Sequence, residues 1–176
     1  MNRAVGLAGL VVALVAAVAG IVAILGGLRA DDKARLRSAR GWAGLLGLGV
    51  VVAFAAMERA LITRDFTVAY VAEHGSSATP PLFNVATLWS ALEGSILLWA
   101  LILAGYLVAV AYQFRRRLTD PLVAWALLVM FSVATFFLVM LLTAANPFGQ
   151  FNPPPGIDGP GPNLLLQNHI LVAVHP

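Results

Sequence analysis

The sequence predicts an all-α integral membrane protein with four transmembrane helices, and three observations carry that prediction. Hydrophobic residues make up 60% of the 176-residue chain and charged residues only 11%, less than half the share that gives a soluble domain its polar cover. Four long runs carry no charge: 4–28, 41–57, 94–114 and 121–145. The basic residues gather at the ends of these runs, so the net charge of +3 and the pI near 10 mark membrane flanks and not a nucleic-acid-binding face. The absence of cysteine excludes a disulfide scaffold, a zinc finger and a thiol nucleophile within this chain.

The elements follow in order. At ~1.5 Å per residue the first run makes a helix of roughly 37 Å, enough to cross a ~30 Å hydrocarbon core with some tilt. Ala17-Val18-Ala19 has the look of a signal-peptide cleavage site, but a cut there would split one apolar run. The heavier charge also lies on the C-terminal side of that run, against secretory polarity, so the helix reads as a retained anchor. The last run opens on Pro121 after Asp120, a good N-cap, and Asn146-Pro147 stops it. The predicted helices are 4–28, 41–62, 88–113 and 121–145, with loops at 63–87 and 146–176 in a single membrane region. Gly41, Gly44, Gly47 and Gly49 crowd the start of the second span, either as a close-packing face or as glycine that lipid simply tolerates.

Orientation comes from the basic residues. Arg29, Lys33, Arg35, Arg37 and Arg40 lie between the first two spans and Arg115, Arg116 and Arg117 between the last two; only Arg3, Arg59 and Arg64 lie on the opposite side. The positive-inside rule puts both basic loops in the cytoplasm, and the N-terminus, residues 63–87 and residues 146–176 on the outer side. Trp42, Tyr112 and Trp125 mark the inner boundary and Trp89 the outer one.

On the same helical ruler Glu93 lies about 33 Å from Arg115, and Glu58 and Arg59 about 27–29 Å from Arg40, so all three reach the outer rim. There an ionised group costs far less than at the bilayer centre. Either Glu93 pairs with Arg59 or Arg64 to fix the bundle, or the three groups form a polar shelf; Trp89 shares a helical face with Glu93 under both readings. Residues 65–71 alternate like a short strand or an extended interfacial segment. Residues 146–163 hold six prolines and four glycines, which excludes helix and predicts a rigid, exposed, irregular loop. The chain then turns apolar and stops at His175-Pro176, which reads as a cut or split chain. His74, His169 and His175 all fall on the outer side, where a neutral imidazole could ligate haem iron.

Four stretches, Asp65-Phe66-Thr67-Val68-Ala69-Tyr70-Val71, WSALEGSILLW at 89–99, Thr143-Ala144-Ala145-Asn146-Pro147-Phe148 and NLLLQNHILVAVHP at 163–176, occur in an order that resembles the N-terminal part of the CcmF family. These are cytochrome c-type biogenesis proteins, subunits of the bacterial cytochrome c haem lyase. The resemblance implies a multi-pass protein of the bacterial inner membrane that helps hold haem b at the outer face for covalent attachment to apocytochrome c. It also implies partners: the rest of the lyase, the haem chaperone CcmE and apocytochrome-binding subunits of the CcmH/CcmI type. His175 falls on the position of the family's first outer-loop haem ligand, whereas His169 has no such counterpart. Glu93, Gly94 and Ser95 match the family's His-Glu-Gly-Ser segment, but Leu92 stands where its histidine would be, so no role for that histidine carries over. The family's tryptophan-rich haem-handling segment and its remaining haem-ligating histidines would lie downstream, so this chain alone is expected not to be a competent synthase.

Two further readings belong to other classes. A transporter or channel subunit would show polar groups at mid-membrane, which the ruler does not give. A cofactor-free assembly scaffold differs from the haem lyase reading only in whether His175 touches haem.

Overall fold

The computed structural model describes residues 1–163; His169 and His175 lie outside the described residues. Four long helices run up, down, up and down: α1 (Asn2–Ala30), α2 (Lys33–Ile62), α5 (Leu92–Gln113) and α6 (Pro121–Leu142). All four are long and apolar enough to cross a membrane. Between α2 and α5 lie two short helices, α3 (Ala69–His74) and α4 (Pro81–Ala86), and a 3₁₀ turn, Thr87–Trp89. α1 packs against α2 and α6, and α5 packs against the same two helices, so the four close into a ring.

Helix ends follow local chemistry, not the limits of the apolar runs. Asp31 takes a left-handed conformation with φ 48° and donates its N–H to Gly27 O, ending α1. Asp32 then caps α2, its carboxylate accepting from the N–H groups of Ala34 (2.9 Å) and Arg35 (3.1 Å). α2 therefore starts at Lys33, eight residues before the predicted Gly41, and its first two turns carry the basic residues clear of the apolar span. At α6 the expected cap holds: Asp120 accepts from Leu122 N–H at 3.0 Å, with Pro121 in the first turn. α6 ends at Leu142 and not Ala145, because the Ala145 N–H turns back to Met140 O at 2.9 Å. α5 begins at Leu92, after Ala91 adopts an extended conformation that separates it from the 3₁₀ turn.

In lipid there is little hydrophobic drive between helices, so close packing must hold them together. A Cβ on Gly9 would lie 2.6 Å from Gly49 O, and a Cβ on Gly49 would lie 2.6 Å from Gly9 O. This is the tightest crossing of α1 with α2, and it answers half of the glycine question: Gly49 is a packing residue, while Gly41 has nothing within 4 Å. Gly20 and Gly6 are notches that receive the rings of Phe131 and Phe148, both fully buried. Val15, Val22, Leu48, Ile102 and Val129 point outward, as a lipid solvent permits. Ser132 and Thr135 within α6 donate to carbonyls four residues back, Leu128 O (2.9 Å) and Phe131 O (2.8 Å), so both hydroxyls are satisfied within their own helix.

The two ends of the ring differ. One carries the exposed arginines of short turns. Over the other, residues 63–91 and 143–161 fold into a cap. Val68 pairs with Gln150 in an isolated antiparallel bridge, flanked by Ala69 N–H to Gly149 O (2.8 Å) and Phe151 N–H to Thr67 O (3.0 Å). The alternation of residues 65–71 thus does not yield an extended segment: Phe66 and Thr67 lie in a turn closed by Val68 N–H to Asp65 O (3.0 Å), Val68 alone makes the bridge, and from Ala69 the chain is helical. The Pro/Gly-rich stretch forms no helix and is pinned along residues 75–77. Asp158 accepts from Ser77 N–H (2.8 Å), from the Ser77 hydroxyl and from Ser76 Oγ (3.4 Å), and Gly161 N–H donates to Gly75 O. These bonds hold the exposed Asp158 carboxyl below the usual carboxylate range, the Ser77 hydroxyl contributing most.

Candidate functional site

The candidate site is the polar cap, which gathers most of the residues singled out by the sequence. Its first group lies at the N-terminus of α1. Arg59, on the last turn of α2, donates to Asn2 Oδ1, and Asn2 Nδ2 donates to Asp65 Oδ2 at 2.9 Å. Asp65 in turn accepts from Thr67 Oγ1 at 2.5 Å and Thr67 N–H at 3.3 Å. Burial pushes the Asp65 carboxyl up, but the bonds from Thr67 and Asn2 outweigh it and hold the group below its ordinary value. Arg3 adds a bond from Nε to Phe148 O at 3.1 Å. Arg59 and Asp65 are thus joined through a buried amide that has no counterpart in the sequence reading.

The second group centres on Tyr70, whose buried hydroxyl lies 2.8 Å from Thr87 O and 2.9 Å from Leu88 O. Burial, reinforced by the nearby negative charge of Glu93, raises its pKa, so it stays a phenol and a donor. Gly94 explains itself here. A Cβ at that position would sit 1.5 Å from Leu88 O and 2.6 Å from Tyr70 Oη, so only glycine lets α5 start beneath the 3₁₀ turn. Ser95 Oγ donates to Trp89 O at 2.8 Å and ties the same turn to the first turn of α5. Trp89 packs partly buried against the core. Within the WSALEGS stretch, then, Trp89, Gly94 and Ser95 build one compact corner with Tyr70 as its pin.

Glu93 is half-buried in the first turn of α5. The expected ion pair with Arg59 or Arg64 does not form: Arg59 goes to Asn2, and Arg64 Nη2 donates to Ser77 O at 3.2 Å. Among the described residues the ion pairs are Arg35–Asp32 and Arg117–Asp120, both at the opposite end. Glu58 makes no hydrogen bond to Arg59 or Glu93. Both its carboxylate oxygens are buried without a hydrogen-bond partner, as is Asn84 Oδ1, while Asn84 Nδ2 donates to Leu61 O at 3.1 Å. Asn2, Tyr70 and Asn84 are the site residues that sequence reasoning missed. Asn2 and Asn84 are only 5% and 6% exposed, and no periodicity marks them.

His74 is the described histidine. Its ring stacks on Tyr70 with centroids 4.6 Å apart, and Nδ1 lies 3.2 Å from Tyr70 O. One stacked imidazole does not make a haem site, and among the described residues no three His, Cys, Asp or Glu side chains could hold a metal ion. The described cap therefore does not fit haem by itself; His175, the residue aimed at that role, lies outside the described residues.

Fold and cap define a multi-pass membrane protein of four helices closed at one end by a folded polar corner. No protein-family model matches the chain. It is 38% identical over 152 residues, 86% of its length, to the cytochrome c-type biogenesis protein CcmF of Escherichia coli (strain K12), covering 23% of that protein. It is 43% identical over 124 residues, 70% of its length, to the CcmF of Pseudomonas aeruginosa, covering 19% of it. A solved structure, the cytochrome c heme lyase CcmF, matches the entire chain at TM-score 0.82 and 33% identity, with 27% of that protein covered. This chain is a CcmF-like N-terminal part. It spans about a quarter of the length of the relatives it matches.

Proposed function

We propose that the chain is the N-terminal membrane part of a cytochrome c haem lyase in cytochrome c-type biogenesis, and helps hold haem b at the outer face of a bacterial inner membrane. The observation that carries this reading is the likeness of the whole chain to a solved haem lyase. The packing of Trp89, Gly94 and Ser95 supports it further, because it gives the matching sequence stretch a geometric reason. In this reading the cap and N-terminus face the periplasm, supported by the eight basic residues at the opposite end. The four helices anchor and scaffold, and His175 would hold the haem iron through its imidazole. Haem held there would supply the vinyl groups to which the thiols of an apocytochrome Cys-x-x-Cys-His motif add. The remainder of the lyase, CcmE and CcmH/CcmI-type subunits complete the assembly.

The test uses the chain co-expressed with the rest of such a lyase, as wild type and as His175→Ala. The expected result is loss of covalent haem in the apocytochrome, read by haem staining, together with an altered Soret band of the purified complex. Unchanged attachment and spectrum would remove His175 from the mechanism and leave the cofactor-free scaffold as the better reading.

A further inference from the structure

A feature outside the cap lies on the seam between α2 and α5 at the arginine end. A pocket of about 520 Å³ opens there, bounded by Arg37, Ser38, Arg40, Trp42 and Tyr112. Directly along the same seam, one turn deeper, a groove of about 260 Å³ runs between Gly44, Gly47 and Val51 of α2 and Ala104, Gly105 and Val108 of α5. From these positions we infer that the seam is a binding site for an anionic phospholipid, its phosphate between Arg37 and Arg40 and an acyl chain in the groove.

The chemistry changes along the seam as a lipid does. Arg37 and Arg40 are three residues apart, share a helical face and are both exposed. The ion pairs among the described residues engage Arg35 and Arg117 instead, which leaves these two guanidinium groups without an acid partner. Arg40 lies over the Tyr112 ring with its Cζ 5.7 Å from the centroid, which holds it at the mouth of the groove. A pair of forked donors suits a phosphate diester, and Trp42 and Tyr112 are the amphipathic rings that settle at headgroup level.

Below them the walls lose every charge. Gly44 and Gly47 face Tyr112 Oη and Val108 Cγ2, while a Cβ on Gly105 would meet nothing within 4 Å. The absence of side chains there keeps the groove open. From Tyr112 to Leu101 the seam runs roughly 16 Å at ~1.5 Å per residue, about half of a ~30 Å hydrocarbon core. A transmembrane helix would ask only for the apolar groove; the charges above it match a headgroup with its chain attached.

The experiment is native mass spectrometry of the 176-residue chain in detergent, titrated with phosphatidylglycerol, phosphatidylcholine or glycerol phosphate. The wild type is expected to retain phosphatidylglycerol over the zwitterionic lipid and to ignore the chainless phosphate. Arg37→Gln/Arg40→Gln lowers that retention on the order of tenfold, Arg37→Lys/Arg40→Lys keeps the preference for the anionic lipid, and Gly105→Leu weakens both lipids by filling the groove. Arg29→Gln/Arg116→Gln, at the same end but outside the lining of pocket and groove, leaves retention unchanged. Equal losses in the two glutamine pairs, equal retention of the two lipids, equal binding of glycerol phosphate or an indifferent Gly105→Leu would each overturn the assignment.

Discussion

The two ends of the helical ring solve the same problem, how to turn a chain at a membrane surface, in opposite ways. At the arginine end the turns are short and their bonds local. Asp32 serves Ala34, Arg35 and an exposed ion pair with Arg35, and Asp120 serves Leu122 and Arg117. At the cap end the bonds join segments far apart in sequence: Asn2 to Asp65, Arg3 to Phe148, Ser77 to Asp158 and Asn84 to Leu61. Several of those groups are buried. An exposed local bond contributes little because water competes for both partners, whereas a buried polar group that loses its partner bears the full cost of its desolvation. The cap is accordingly the end where single substitutions should matter.

The sharpest contrast sets two glycines of α5 against each other. Gly94→Ala drives a methyl group against Leu88 O, a backbone atom that cannot swing aside, and displaces the Tyr70 hydroxyl. The expected loss is about 3 kcal/mol, the upper end of the cost of overpacking, read as a lowered thermal midpoint of the detergent-solubilised chain by intrinsic fluorescence. Gly105→Ala, with nothing within 4 Å of its new methyl, should leave the midpoint unchanged or raised through better helix propensity. Equal effects of the two would mean that the corner under Tyr70 is not tightly fixed.

A smaller loss is expected from Tyr70→Phe, which keeps the ring and its stack on His74 but removes the hydroxyl. Thr87 O retains the Ser90 hydroxyl at 3.0 Å, so the carbonyl that suffers is that of Leu88. About 1–3 kcal/mol is the cost of one buried group left unsatisfied. Faster hydrogen exchange confined to residues 87–95, with the rest of α5 protected as before, would locate the damage; uniform acceleration along α5 would contradict a local pin.

What could be read in the sequence divides along the same line. The four spans were legible because exclusion of charge from lipid is a one-dimensional signal, and the α6 start was legible because Asp120-Pro121 is a local cap. The start of α2 was not, because Lys33–Arg40 is charged yet helical: Asp32 caps a helix that runs past the membrane surface. The Glu93 pairing misled because depth along a helix places two charges at one level without saying which way they point. In the folded chain Arg59 turns to Asn2 at the far end of the sequence. Asn2, Tyr70 and Asn84 became site residues only through tertiary contacts, and small polar side chains carry no pattern that announces such contacts. Gly94 and Ser95 were found through the family resemblance, and only the backbone geometry shows why they are needed.

The smallest expected effect compares two carboxylates as acid is added. Asp65 titrates below its ordinary value of 3.8 in the folded chain. A depressed folded pKa means that its contribution is complete above that ordinary value and is lost as the pH falls through the lower folded one. The Arg59–Asn2–Asp65 link should therefore hold at neutral pH and loosen only in strong acid, with proteolytic cutting near residues 63–68 rising below about pH 4. Asp65→Asn should remove the acid dependence, since its amide does not titrate in that window, and should lower the midpoint, because its single oxygen can accept from Asn2 or from Thr67 but not from both. At the other end Asp120 is also held low, first by its bond from Arg117, yet it is exposed and local. Arg117→Ala should leave the thermal midpoint within error at any pH, because only a surface pair is lost. A midpoint that drops as far for Arg117→Ala as for Asp65→Asn would erase the distinction between the two ends.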